Sequence, residues 1–186
     1  MSNTETTKSW NIDLAHSGVT FSVRHMVIAK VRGRFARFSG DVHIDEKDLT
    51  RSTVNIVVDA ASIDTGIADR DAHLRSPDFL DVEKFPALTY VSKRVEKVSA
   101  TEYRLVGDLT IRDTTREVPL EIEYGGLGKD PWGKERMGFT AKAHLDRKEF
   151  GLRWNQALET GGVLVGDRVD IDIELEAVKA AEQRAA

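Results

Sequence analysis

The chain has 186 residues, 40% hydrophobic and 31% charged, with a net charge of −4 and no cysteine. That length supports one sizeable core, the lack of cysteine removes disulfides, thiolate metal sites and cysteine nucleophiles together, and the acidic balance argues against a general nucleic-acid binder, which needs a basic face. No apolar run is long enough to cross a bilayer as a helix, and MSNTETTKSW lacks the basic and apolar regions of a secretion signal, so the expected compartment is the cytoplasm.

From the N-terminus, residues 1–8 read as a flexible lead, and 9–178 as one barrel-forming domain. In WNIDLAHSGVTFSVRH, Val19, Phe21, Val23 and His25 alternate with Thr20, Ser22 and Arg24. Strict alternation means a strand with one wet and one dry face, because successive side chains point to opposite sides. The preceding Ala15-His16-Ser17-Gly18 has the composition of a structural corner. Lys30 to Phe38 then interleaves arginine with phenylalanine, and three uses stay open. It suits a single-stranded nucleic-acid platform, a pocket mouth with Phe35 and Phe38 turned inward, or a strand with a solvated arginine face.

Alternation returns at Val42 and Ile44, and at Val54, Ile56 and Val58. Residues 67–83 break the period of two and predict a helical insert: Ile67 to Arg75 first, then a second short helix opened by Ser76-Pro77, anchored by Phe79 and Leu80, and stopped at Lys84-Phe85-Pro86. Asp69 and His73 stand four apart on that insert, within reach of a common metal. Without a second nearby histidine they read better as a solvated charged face with Arg70, Asp71 and Arg75.

Strand resumes near Leu88 to Lys93. It recurs at Tyr103 to Ile111, Val118 to Tyr124, Phe139 to Leu145 and Val169 to Leu175. Between two of these lies Gly128-Lys129-Asp130-Pro131-Trp132-Gly133-Lys134, which fits G-x-x-x-x-G-K. Glu135 replaces the hydroxyl that would reach magnesium, Pro131 removes an amide donor, and strands flank both sides, so the stretch is a hairpin loop. Lys179 to Ala186 reads as a frayed helix or disorder.

Strands that follow one another with little helix between them are mostly antiparallel, and so many one-sided strands either pack on a second sheet or curl into a barrel. The dry faces then become a lining that includes the slim positions Gly107, Ala141 and Ala143. A void of roughly 300 Å³ inside would cost about 7 kcal/mol, so the interior holds either larger side chains or an apolar guest. The pattern alone leaves both open.

Trp10-Asn11-Ile12-Asp13, His16-Ser17 and Phe21-Ser22-Val23-Arg24-His25 resemble the opening signature of the YceI-like family, W-x-I-D-x-x-H-S-x-x-x-F-x-V-x-H. The likeness continues through Gly33-Arg34-Phe35, Arg70-Asp71-Ala72-His73-Leu74, Phe79-Leu80-Asp81-Val82, Lys84-Phe85-Pro86, Gly107-Asp108-Leu109-Thr110-Ile111, Arg147-Lys148-Glu149-Phe150-Gly151 and Gly166-Asp167. It implies an all-β fold, an antiparallel lipocalin-like eight-stranded β-barrel. It also implies a carrier or store for a long isoprenoid or similar amphiphilic lipid, such as a polyprenyl phosphate, an isoprenoid quinone or a fatty amide. No cofactor is required and no catalysis is expected. A homodimer, a link to stress response and at most transient membrane contact belong to the same implication; nucleic acid does not.

On this reading Phe21, Val23, Phe35, Phe38, Val54, Ile56, Leu105, Gly107, Leu109, Phe139, Ala141 and Ala143 wall the tunnel, with His25 and Arg34 at the headgroup end. Two other classes stay beside it. One is a single-stranded nucleic-acid module on Lys30 to Phe38; the other is a small-molecule enzyme pairing His25 with a carboxylate.

Overall fold

The computed structural model describes residues 7–181. The described strands are β1 (Thr7–Ile12), β2 (Gly18–His25), β3 (Ala29–Phe35), β4 (Phe38–Asp45), β5 (Thr53–Asp59), β6 (Ile63–Asp64), β7 (Ala87–Lys97), β8 (Glu102–Ile111), β9 (Thr114–Lys129), β10 (Glu135–Asp146) and β11 (Val165–Lys179), with one helix, α1 (Ala68–Arg75). The flexible ends expected at 1–8 and 179–186 lie mostly outside the described residues; β1 already begins at Thr7, and β11 runs through Lys179.

All strand pairs are antiparallel. β1, β4, β5, β7, β8, β9, β10 and β11 close a ring, in that order, with β11 returning to β1. Closure leaves no free edge in the ring, which protects strands of this length from pairing with other chains. β11 has 15 residues, about 50 Å at ~3.3 Å per residue, so the barrel is tall and its edge is shared. Ala177 to Lys179 pair with β1, while Val165 to Glu174 pair with β2. β2 carries β3 and β6 beyond it as a flap.

The corner between β1 and β2 explains the polar part of the opening signature. Asp13 N–H donates to the Glu176 carbonyl (2.8 Å), and Ser17 Oγ accepts from Glu176 N–H (3.0 Å). One residue of β11 thus receives the chain as it passes from one pairing register to the other. The corner is structural, as expected.

The helical insert differs from expectation. Only α1 forms; residues 77–84 are turns. Ser76 Oγ donates back to the His73 carbonyl (2.7 Å), closing α1, and Asp81 takes φ 49° while its N–H reaches the Ser76 carbonyl. A serine spent on ending one helix does not start the next. β7 also outruns its expected end at Lys93. A bulge between Ser92 and Arg94 re-phases it so that Val95 again faces inward, and Ser92 Oγ accepts from Val54 N–H (2.9 Å) there. The Gly128 to Lys134 stretch is the β9–β10 turn, closed by Asp130 Oδ1 accepting from the N–H groups of Trp132 and Lys134.

Two cores result. The larger lines the barrel and includes Tyr90, Leu105, Val118, Leu120, Leu145 and Phe150. The smaller, built from Trp10, Val42, Ile44, Met137 and Ala177, fills one end.

Candidate functional site

Inside the ring lies a cavity of about 630 Å³. Its walls come from the inward face of nearly every strand, since alternation sends every second side chain to the lumen. Of the residues predicted as wall, Phe21, Val23, Phe35, Val54, Ile56, Leu105, Leu109, Phe139 and Ala141 border it, and His25 borders it at one end. The four others do not.

Arg34 is corrected by the strand's own period. Phe35 faces the lumen, so Arg34 faces out, where Nε and Nη2 both donate to Asp64 Oδ2 at 3.1 Å. Gly107 is inward but no gap: a Cβ there would lie 2.6 Å from Tyr90 Cζ and 2.6 Å from the Val91 carbonyl oxygen. The Tyr90 ring covers the glycine, and its hydroxyl is directed at the carbonyls of Leu105 (3.1 Å) and Val118 (3.0 Å). Burial raises the tyrosine pKa, so the group stays a neutral donor. Ala143 packs into the wall without reaching the cavity, and Phe38 stands at the start of β4, beyond the cavity's edge.

The same period decides among the uses of Lys30 to Phe38. Val31 and Phe35 line the lumen, while Lys30, Arg32 and Arg34 are exposed. A stacking platform needs aromatic rings on the surface that its cations share, and Phe35 is on the opposite one.

The two ends of the lumen differ in chemistry. At one, the Trp10 cluster plugs the barrel. At the other, His25 and Arg24 from β2, Asp69, Arg70 and His73 from α1, and Arg147 and Trp154 after β10 gather at the mouth. The His73 ring meets Trp154 and Phe79 edge-on, with centroids 4.6 and 5.1 Å away, and its Nε2 lies 2.8 Å from Asp78 Oδ2. Asp78 is thus the carboxylate held by His73, where a metal reading had paired it with Asp69.

Arg147 is 3% exposed and holds the mouth together. Nε donates to the Gly166 carbonyl (2.8 Å), Nη1 to those of Leu152 (2.7 Å) and Trp154 (2.9 Å), and Nη2 to that of Val165 (3.3 Å); Asp167 Oδ1 lies 3.5 Å away. Burial lowers its pKa from the usual guanidinium value, yet a guanidinium stays charged at any working pH. One cation therefore serves four carbonyls at the lumen's rim. Tyr90 and Arg147 were missing from the predicted site, although Leu88/Tyr90 alternation and the Arg147-Lys148-Glu149-Phe150-Gly151 motif both signalled them.

Asp13, His16 and Glu176 come close enough to suggest a metal. The space between them is served by Arg136 instead: Nη1 donates to Asp13 Oδ2 (2.6 Å) and Glu176 Oε1 (2.5 Å), and Nε to Asp130 Oδ2 (2.9 Å). The guanidinium, then His16, holds the Asp13 carboxyl down at about 2. This is an ionic clasp.

Comparison with known proteins agrees with the geometry. The model of the YceI-like domain matches residues 10–177. A UPF0312 protein of Staphylococcus epidermidis is 36% identical over 168 residues, 90% of this chain and 95% of that one. The crystal structure of Burkholderia cenocepacia BcnA superposes with a TM-score of 0.78 at 23% identity, covering 89% of this chain and 99% of that one. A polyisoprenoid binding domain from Saccharophagus degradans, implicated in plant cell wall breakdown, superposes with a TM-score of 0.69 at 13% identity, covering 93% and 99%. Among the described residues, no helix is long and apolar enough to cross a membrane.

Proposed function

This chain belongs to the YceI-like domain family, and on that premise we propose that it binds a long-chain isoprenoid or similar amphiphilic lipid in its lumen, as carrier or store, without a catalytic step. The observation that carries the reading is the cavity. An unfilled apolar volume of about 630 Å³ costs about 15 kcal/mol at ~24 cal/mol per Å³, as much as the ~5–15 kcal/mol that keeps a typical domain folded. Water fills such a space badly, because a buried water needs about two to four polar partners and the wall is Phe, Val, Leu and Ile. Each buried CH₂ of an alkyl or prenyl guest gains about 0.8 kcal/mol instead.

The asymmetry of the lumen supports an amphiphile. Its tail would run toward the Trp10 plug, and its head would sit at the mouth. There Arg24, Arg70 and Arg147 outnumber Asp69, which favours an anionic head such as a polyprenyl phosphate over a neutral quinone or amide. The polyisoprenoid-binding description of the Saccharophagus degradans domain supports the isoprenoid class. Native mass spectrometry of protein purified from its own host is expected to show a co-purified lipid. Recovery of empty protein alone, in repeated preparations, contradicts the reading.

A further inference from the structure

The turn between β2 and β3 breaks the rules for an ordinary hairpin. It consists of Met26, Val27 and Ile28, and Met26 and Val27 take φ of 52° and 65°. Two successive left-handed residues favour Asn-Gly, because a side chain branched at Cβ is strained there. This chain instead places three apolar residues in the turn, 40%, 66% and 83% exposed. Strain retained together with exposed apolar surface points to a use for those side chains.

Three further observations say what that use is. First, the tip stands at the open end: His25, the residue before the turn, borders the lumen, and Met26 N–H donates to the carbonyl of Leu164, another lumen residue (2.9 Å). Second, from Leu14 to Gly40 the chain carries Arg24, Lys30, Arg32, Arg34 and Arg37 and no acidic residue, in a protein whose net charge is −4. Third, the cations nearest the tip keep their charge available. Arg32 is exposed, Lys30 touches Asp170 only at 3.5 Å, and Asp170 is shared with Arg168. Val163 adds exposed apolar surface beside Val27, in a shallow groove that also holds Arg24 and Lys30.

We propose that this hairpin docks the open end of the barrel on a bilayer containing anionic phospholipid, with Met26, Val27 and Ile28 entering the headgroup boundary and Arg24, Lys30 and Arg32 meeting lipid phosphates. An apolar wedge ringed by cations is the chemistry that such a surface selects. Docked this way, the lumen faces the membrane and a chain passes between the two without crossing open water. The docking rests on the tip and its charges, while its purpose rests on the lumen reading, and the experiment separates them.

Sedimentation with phosphatidylcholine vesicles, with and without phosphatidylglycerol, is the test. The wild-type protein is expected to bind the anionic vesicles, to release them as salt rises, and to ignore neutral ones. The double variant Met26→Asn/Val27→Gly, which gives the turn its preferred residues, should bind at least about tenfold more weakly while unfolding at the same or a higher temperature. Arg32→Gln should weaken binding about fivefold. Trp132→Ser, at the opposite end of the barrel and 81% exposed in the native chain, should bind as wild type. Ala141→Phe, which obstructs the lumen, should still dock, so loss of lumen lipid with retained docking would refute only the lumen reading. The proposal is overturned if the double variant binds like wild type, if neither vesicle is bound, or if the same substitutions abolish a concentration-dependent dimer or oligonucleotide binding instead.

Discussion

The two ends of this barrel are made by the same strands and treated in opposite ways. At the closed end Trp10, Met137 and Ala177 leave almost no accessible surface, and Arg136 laces Asp13, Asp130 and Glu176 together around them. At the open end the wall is bordered by a helix, a long loop and a hairpin with apolar residues in solvent. A closed barrel allows this division because ladder hydrogen bonds hold the ring throughout. Packing can then be concentrated at one end and access left at the other, as mobile and binding segments are drawn from the less stable parts of a fold.

The contrast is broken most severely at the closed end. Trp10→Ala removes the largest side chain of the plug and is expected to lower stability by about 3–5 kcal/mol, read by denaturant unfolding, while the folded fraction keeps lumen lipid. Loss of lipid with unchanged stability would reverse the roles assigned to the two ends. Next in size is the filled slim position. Gly107→Ala forces a methyl group against Tyr90 and the Val91 carbonyl oxygen and should cost about 1–3 kcal/mol; a neutral result would mean that the tyrosine moves aside freely. Tyr90→Phe, which leaves the ring over the glycine and removes only the hydroxyl, should cost about 1 kcal/mol.

The smallest expected effect is a pH dependence confined to the clasp. The Asp13 carboxyl is depressed in the folded state from 3.8 to about 2, so its contribution is complete above the ordinary value and fades as pH falls from 3.8 toward 2. Arg136→Met should flatten that part of the acid-unfolding curve, and an unchanged curve would remove the clasp from the account.

These comparisons also show which parts of the molecule were legible in sequence. The strands were, because period-two runs such as Val169 to Leu175 or Tyr103 to Ile111 state which face is dry. The barrel's lining followed from the same rule, and Arg34 was misplaced only where the rule was set aside for its charge. Gly107 misled for a different reason: a glycine on an inner face reads as space, and the ring that covers it comes from β7, 17 residues earlier, across a pairing register that a single strand's pattern does not encode. Ser76-Pro77 carried the composition of a helix start and acts as a helix stop, since a serine hydroxyl serves either backbone partner. The closed end was invisible for want of proximity in sequence, as Trp10 meets Ala177 only once β1 and β11 have paired. The opening motif was recognisable as a pattern, but its role required Glu176, at the other end of the chain.

The central claim is that the lumen holds a lipid tail, and it is tested most directly by comparing lipid bound to wild-type protein and to Ala141→Phe, both purified from the native host, by native mass spectrometry. The account predicts a lipid adduct on the wild-type chain and its loss from a variant that folds normally, because the added ring occupies the space next to Phe139 and Leu145. Equal adducts on both proteins, or none on either, would contradict it.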